Sequence, residues 1–271
     1  MSNPTCPVCT HSDFVKIVTL EKWSVLECTH CSLGITTPVP DREALSQLYG
    51  ENYFQPSDAN YDIHSRKFKK LVDQERHRVR FVRRCAKKGR LLDIGCGSGF
   101  FLYAARKSGF SVEGLDISDA NLNLIKKSFG IEVSISPVEA MDYPEGQFDI
   151  ITMWHSLEHN PDPAGIIRKC MKWLKQDGTL VIEVPNHNCI DAKMDRDKWP
   201  NWALPFHLFH FTRESLEILT RTCDLKIVST NTYLSEFIKA ELDSRFLFKP
   251  ISRTVARCFD GGGIAIACKK C

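Results

Sequence analysis

The chain has 271 residues, of which 43% are hydrophobic and 25% charged, with a net charge of +3. That length holds one full α/β domain plus a small accessory module, and the composition excludes collagen-like, low-complexity and highly charged disordered chains. No apolar stretch approaches the ~20 residues of a membrane span, and the N-terminus lacks the basic-then-apolar pattern of a signal peptide, so a cytoplasmic protein without a membrane span is expected.

Cysteine spacing organises residues 1–40. Cys6-x2-Cys9 is followed after eighteen residues by Cys28-x2-Cys31, which is zinc-ribbon spacing. Each pair forms a knuckle, and two knuckles close a tetrahedral four-sulfur shell with no open position, so the ion is structural. Zinc is the expected ion, and iron suits the same donor set. Residues 14–26 alternate as a short hairpin would. The other eight cysteines are scattered, as buried thiols in a reducing compartment are.

Residues 41–90 read as a helical linker and a basic helix. Between Asp62 and Arg90 stand twelve Lys or Arg against three acids, which leaves the remainder acidic by about six. Phe68, Leu71, Val72, Val79, Val82 and Ala86 recur at helical spacing, the mark of a solvated basic face backed by an apolar one. Such a face could also meet nucleic acid, anionic lipid or a phosphate-bearing substrate.

Residues 91–100, Leu-Leu-Asp-Ile-Gly-Cys-Gly-Ser-Gly-Phe, describe a buried strand turning sharply into a helix. Glycines suit a backbone that must turn tightly and lie against a ligand, and the helix start offers unpaired N–H groups. A dinucleotide site prefers G-x-G-x-x-G. Here the spacing is G-x-G-x-G, with Asp93 two residues before Gly95. An acid there would repel a pyrophosphate and suit an ammonium or sulfonium group.

Further along, a helix is predicted over 100–107, ended by Gly109, then a strand over 112–117 that carries Asp116 seventeen residues after Gly99. An acid at that place can accept both hydroxyls of a ribose. Ser118 caps a predicted helix to residue 129, followed by strands over 131–135 and 148–154. A helix over 161–176 starts with prolines and stops before Asp177-Gly178; a strand over 179–185 follows. This alternation gives an α/β fold, a Rossmann-like, mostly parallel seven-stranded sheet with helices on both faces. Ligands in such sheets lie beyond the carboxyl ends of the strands, where Asp93, Asp116 and residues 155–159 map.

The 93–99 loop, Asp-Ile-Gly-Cys-Gly-Ser-Gly, resembles motif I of the class I S-adenosylmethionine (SAM)-dependent methyltransferases. The resemblance implies that Asp93 and the loop (Gly95, Cys96, Gly97, Gly99, with Phe100) face the methionine part of SAM. It places Asp116 and Ile117 at the ribose, Glu139-Ala140 at the adenine edge, and Trp154 on the same rim. Cys96 reads as a small loop residue and not as a nucleophile. Methyl transfer then needs an acceptor held in line and a base that removes its proton. Residues 153–159, Met-Trp-His-Ser-Leu-Glu-His, supply His155, Glu158 and His159 after the fourth strand, and histidine titrates near neutral pH.

The Glu158-His159 pair before Asn-Pro-Asp-Pro resembles the signature of zinc-ribbon-bearing sugar C-methyltransferases, in which the matching His is the proposed base. The string Pro-Phe-His-Leu-Phe-His-Phe-Thr (205–212) resembles the same branch and singles out His207, with His210 three residues on. It lies in an aromatic, Pro-rich 26-residue connection over 186–211, long enough for a substrate cover, whose rings suit stacking on a sugar or planar acceptor. A helix over 213–223 and strands over 225–229 and 264–268 complete the sheet, the two strands as an antiparallel hairpin. Between them, 232–262 reads as an insertion (a lid, dimer face or membrane-surface helix), and Gly261-Gly262-Gly263 as a turn.

The expected organisation is therefore 1–40 zinc-ribbon module, 41–90 linker and basic helix, and 91–271 SAM-binding domain with cover 186–211 and insertion 232–262. Members of the sugar C-methyltransferase branch carry a further C-terminal domain, whereas this chain ends once the sheet is complete, so O-methylation is supported as well as C-methylation. The expected acceptor is a small hydroxylated molecule, a sugar or sugar-linked metabolite, and the partners allow a homodimer. The competing readings are a nucleic-acid-modifying methyltransferase, which lacks here an Asn/Asp-Pro-Pro-Tyr/Phe motif after the fourth strand, and a non-enzymatic SAM-binding adaptor.

Overall fold

The computed structural model describes residues 5–40, 62–119, 121–122, 124–245 and 248–271. Residues 41–61 of the expected linker lie outside the described residues. The chain divides into two units. One takes in the described part of Met1–Leu45 with Leu157–Ala164 and Glu183–Ile266; the other takes in that of Ser46–Ser156 with Gly165–Ile182 and Ala267–Cys271.

In the first unit, β1 (Phe14–Leu20) and β2 (Trp23–Cys28) form the expected antiparallel hairpin, with Phe14 opposite Cys28. β3 (Gly34–Thr37) pairs antiparallel with β2. A fourth strand comes from far along the chain and was not predicted. It is the two-residue strand β9 (Phe209–His210), which sets Gly34 opposite His210 and Ile35 opposite Phe209. The 186–211 connection also carries α-helix Ile190–Asp195 and 3-10 turns Arg196–Lys198 and Pro200–Trp202. Four of its rings do not stand open for stacking, contrary to expectation, and only Phe206 is partly exposed. Trp199 and Trp202 are buried with Val18, Val25, Cys189 and Ala192, because the hairpin and the short helix give them apolar surface to cover; Phe209 and Phe211 are buried as well.

In the second unit the basic stretch forms two helices, α1 (Arg66–Gln74) and α2 (Arg76–Cys85), with Glu75 as the junction. Ser65 caps α1 by accepting from the Phe68 amide at 3.1 Å. Phe68, Val79 and Val82 are buried as the periodicity predicts. β4 (Gly89–Ile94) runs parallel to β5 (Phe110–Asp116) on one side and to β7 (Phe148–Trp154) on the other, and β6 (Val133–Ile135) pairs parallel with β5. Leu91, Leu92, Ile150 and Ile151 have no exposure, as strands covered on both faces require. The helix after β4, α3 (Phe100–Lys107), has the predicted bounds.

Several predicted elements differ in kind or extent. The 118–129 helix is a π-type segment over Leu124–Phe129, with residues 120 and 123 outside the described residues. A wider turn brings residues five apart toward one face, so Leu124 and Phe129 are buried together. The 161–176 helix spans only Pro163–Trp173, and strand β8 begins at Leu174 and runs to Pro185. Early in that strand Lys175 pairs with Asp149 at 2.8 Å, and Lys270 donates to the Leu174 carbonyl at 2.7 Å. The triple glycine is not a turn before the last strand; it lies inside β11 (Asp260–Lys270). A Cβ at Gly261 would fall 2.1 Å from the Leu234 carbonyl oxygen, so only glycine allows that approach. With β10 (Leu225–Leu234), the seven-stranded sheet has the order β10-β11-β8-β7-β4-β5-β6.

Candidate active site

The glycine loop leaves the carboxyl end of β4 with φ of 73° at Gly95, 52° at Gly97 and 72° at Gly99, a left-handed conformation that glycine adopts without a Cβ clash. At Gly95 a Cβ would also meet Ser156 Oγ at 2.6 Å, whereas beside Gly97 there is open space. The loop is tied to the next strand: the Gly95 amide donates to the Leu115 carbonyl at 2.7 Å, and the Gly97 amide to Asp116 Oδ2 at 2.8 Å. Asp116 Oδ1 accepts from the Ser118 amide at 3.0 Å. Asp116 therefore fixes the loop on one side and the start of the following segment on the other. Ile117 beside it is 52% exposed.

Asp93 stands opposite Thr152 in the parallel β4/β7 register and is almost fully buried. Burial pushes its carboxyl up to about 8, although Thr152 Oγ1 donates to Oδ1 at 2.6 Å. Cys96 is buried, with its Sγ turned toward Gly114 of β5, and burial raises its thiol well above the usual range. Cys96 is thus packed inside the loop. Phe100 begins α3 and lies 5.9 Å, ring to ring, from Phe68.

Trp154 at the end of β7 is buried, packs 5.0 Å from the Phe101 ring and carries the Arg78 guanidinium 5.1 Å over its face. Glu139 and Ala140 are exposed on a 3-10 turn, Val138–Ala140. Lys169 Nζ donates to the carbonyls of Val138, Glu139 and Met141 and so ties that turn down. Arg78, Thr152 and Lys169 were not singled out by sequence reasoning; the surplus of basic residues hid Arg78, and nothing local marks the other two.

The structure brings three of the four candidate catalytic residues together. Glu158 and His159 sit on the 3-10 turn Leu157–His159. One ligand atom from each of Glu158, His159 and His207 lies within 4.8 Å of the others, and the two imidazoles meet edge to face at 4.7 Å. His159 Nδ1 lies 2.9 Å from the Phe206 carbonyl and His207 Nδ1 2.9 Å from that of Asn201. A carbonyl only accepts, so each Nδ1 carries a proton, and in the neutral ring Nε2 is the nitrogen that holds the lone pair. Glu158 is fully buried. A carboxylate and two imidazoles at this separation can move a proton and are also a donor set for a divalent cation. His155 is not one of this group; it is exposed, in a left-handed conformation with φ 50°.

The histidine segment is anchored by Thr36, whose hydroxyl donates to the His207 carbonyl. Its single proton is thereby used, so the 3.0 Å contact with His210 runs from His210 Nε2–H to Thr36 Oγ1. Burial, with His207 and His187 nearby, holds His210 well below its ordinary range, and burial likewise lowers His187. Both are neutral supports.

The four N-terminal cysteines converge as the spacing requires. Cys6 and Cys31 sulfurs are 3.5 Å apart, as are those of Cys9 and Cys28, and all four lie within 4.8 Å. With metal–sulfur bonds near 2.3 Å, as in zinc sites, four such sulfurs fit around one tetrahedral ion. The Cys6 sulfur and burial together push the Cys31 thiol up.

Residues 64–230, more than half of the chain, match a family model described as a methyltransferase domain. The ubiquinone biosynthesis O-methyltransferase of Pseudomonas aeruginosa is 36% identical over 129 residues, covering 45% of this chain and 56% of that protein. The chain thus spans about half the length of the curated relatives it matches. A SAM-dependent methyltransferase from Archaeoglobus fulgidus superposes with a TM-score of 0.57 at 22% identity, over 75% of this chain and 96% of that one. Coclaurine N-methyltransferase, solved with N-methylheliamine and SAH, gives 0.55 at 16% identity, over 87% and 83%. These two likenesses are of fold. Together with the motif I loop and the family match, they place the chain in the family of class I SAM-dependent methyltransferases.

Proposed function

We propose that this protein transfers a methyl group from SAM to a hydroxyl oxygen of a small acceptor, with His159 as general base. The observation that carries the reading is the Glu158–His159–His207 group. Backbone carbonyls hold both imidazoles with the lone pair on Nε2, and a buried carboxylate within reach offsets the positive charge that His159 gains with the proton. SAM, when bound, supplies an activated methyl on a sulfonium. Around it the chain's part is to bind and orient: Gly95, Gly97 and Gly99 give a backbone that a ligand can approach, Asp116 offers carboxylate oxygens to a ribose, and Asp93 offers a carboxyl to the cationic end. Phe100, Ile117, Glu139, Ala140 and Trp154 are proposed around the rest.

The names of the curated relatives favour oxygen as the accepting atom, and the resemblance to the sugar-modifying branch favours a sugar or sugar-linked metabolite. We also assign a structural zinc to Cys6, Cys9, Cys28 and Cys31, with 1–40 as the module it stabilises. The test compares His159→Ala and His159→Gln in methyl transfer over a panel of hydroxylated acceptors. Loss of one acid–base group costs ~10²–10⁴-fold in turnover, with SAM affinity retained. Unchanged turnover in both variants would remove His159 from the reaction. SAM binding without turnover on any acceptor would favour an adaptor.

A further inference from the structure

The basic stretch has no part in the reading above, and its arrangement is not that of a simply solvated face. Arg76, Arg80, Arg83, Arg84 and Lys87 follow one another along and just beyond α2, and Lys107 joins them from the last turn of α3. All six side chains are exposed, and all line one groove of about 570 Å³ floored by Val72, Val79 and Ala104. Among the described residues the groove has a single acid, Asp73, which Arg76 holds at 3.0 Å. Like charges three or four residues apart destabilise a helix, and Arg76, Arg80 and Arg84 form such a row. A concentration of positive charge of this kind in a concave place is what a multiply charged anion needs.

We propose that this groove is a second binding site, for a compact polyphosphate group. Its volume is that of a small-molecule pocket, and four of its six cations are arginines, whose planar forks engage phosphate oxygens in pairs. The glycine loop opens α3 and the groove lies at its other end, eight residues or ~12 Å away at helical rise. From α3 the groove takes Ala104, Lys107 and the adjoining Ser108, five, eight and nine residues after Gly99, and none of the glycine-loop residues is in its lining. A single-stranded nucleic acid is held in large part by base stacking on open aromatic rings, and among the described residues none lines the groove. The phosphates can belong to a soluble metabolite or to a lipid headgroup.

The experiment titrates the full chain with inorganic tripolyphosphate by calorimetry and repeats it with Arg80→Gln/Arg84→Gln, two exposed positions. Binding should weaken as salt rises. The double variant should lose about tenfold or more in affinity, the scale of two charge-assisted contacts, while its SAM affinity stays unchanged as a check on folding. Retention on vesicles carrying phosphatidylinositol 4,5-bisphosphate but not on phosphatidylcholine ones, competed by tripolyphosphate and lost in the variant, would identify a lipid source; tripolyphosphate binding without such retention would identify a soluble one. No tripolyphosphate binding, equal binding by the variant, or capture of a single-stranded RNA in its absence would overturn the proposal.

Discussion

Burial sets the behaviour of Asp93. Its carboxyl is raised to about 8 in the fold, against 3.8 for the unperturbed group. Between those values the folded state holds a proton that the unfolded chain has released, so stability falls as pH rises from about 4 to about 8. Asp93→Asn removes that slope. Thermal unfolding of the SAM-free protein should show the variant several degrees more stable near pH 8 and little changed near pH 4; parallel curves across the range would contradict the protonated assignment. A cationic ligand end beside Asp93 would favour the carboxylate, so SAM binding near pH 7 should release a proton. Calorimetry in buffers of different ionisation enthalpy would show it as a difference in apparent binding enthalpy. Features that needed only local context were legible in the sequence: the glycine turn after β4 and the converging cysteine pairs. Thr36 was not, because its contact with His207 joins positions 171 residues apart.

Strands and helices divide in the same way. β4, β7 and α3 were legible because continuous apolar runs, a glycine break and a helical period coincide within thirty residues of each element. The strand at Phe209–His210 is too short to carry a period, and it exists through pairing with β3. Trp199 and Trp202 read as stacking rings because nothing local reveals that Val18 and Val25 wait to cover them. The Val138–Ala140 turn is a further case, held by Lys169 through three carbonyls. Bonds to a charged donor contribute roughly 1.5–3 kcal/mol when buried, and the partial exposure here reduces that. Lys169→Met should thus leave the fold intact and weaken SAM binding by about three- to tenfold. An unchanged affinity would show that the turn does not contribute to the cofactor site.

Taken together, the molecule joins a family domain that supplies the nucleotide-type sheet to an N-terminal cysteine cluster whose hairpin shares a sheet with the histidine segment through β3 and the strand at Phe209–His210. Metal analysis should find about one zinc, or iron, per chain. Cys28→Ser should lose it together with several degrees of thermal stability, since a small module of this kind folds around its ion; a metal-free wild-type protein with the same melting behaviour would contradict the zinc assignment. The most direct test of the account as a whole is a calorimetric titration of the intact protein with SAM, set against Asp116→Ala. One site per chain is predicted, with affinity falling at least tenfold in the variant as a ribose partner and a loop anchor are lost together. A wild-type protein that does not bind SAM would contradict it.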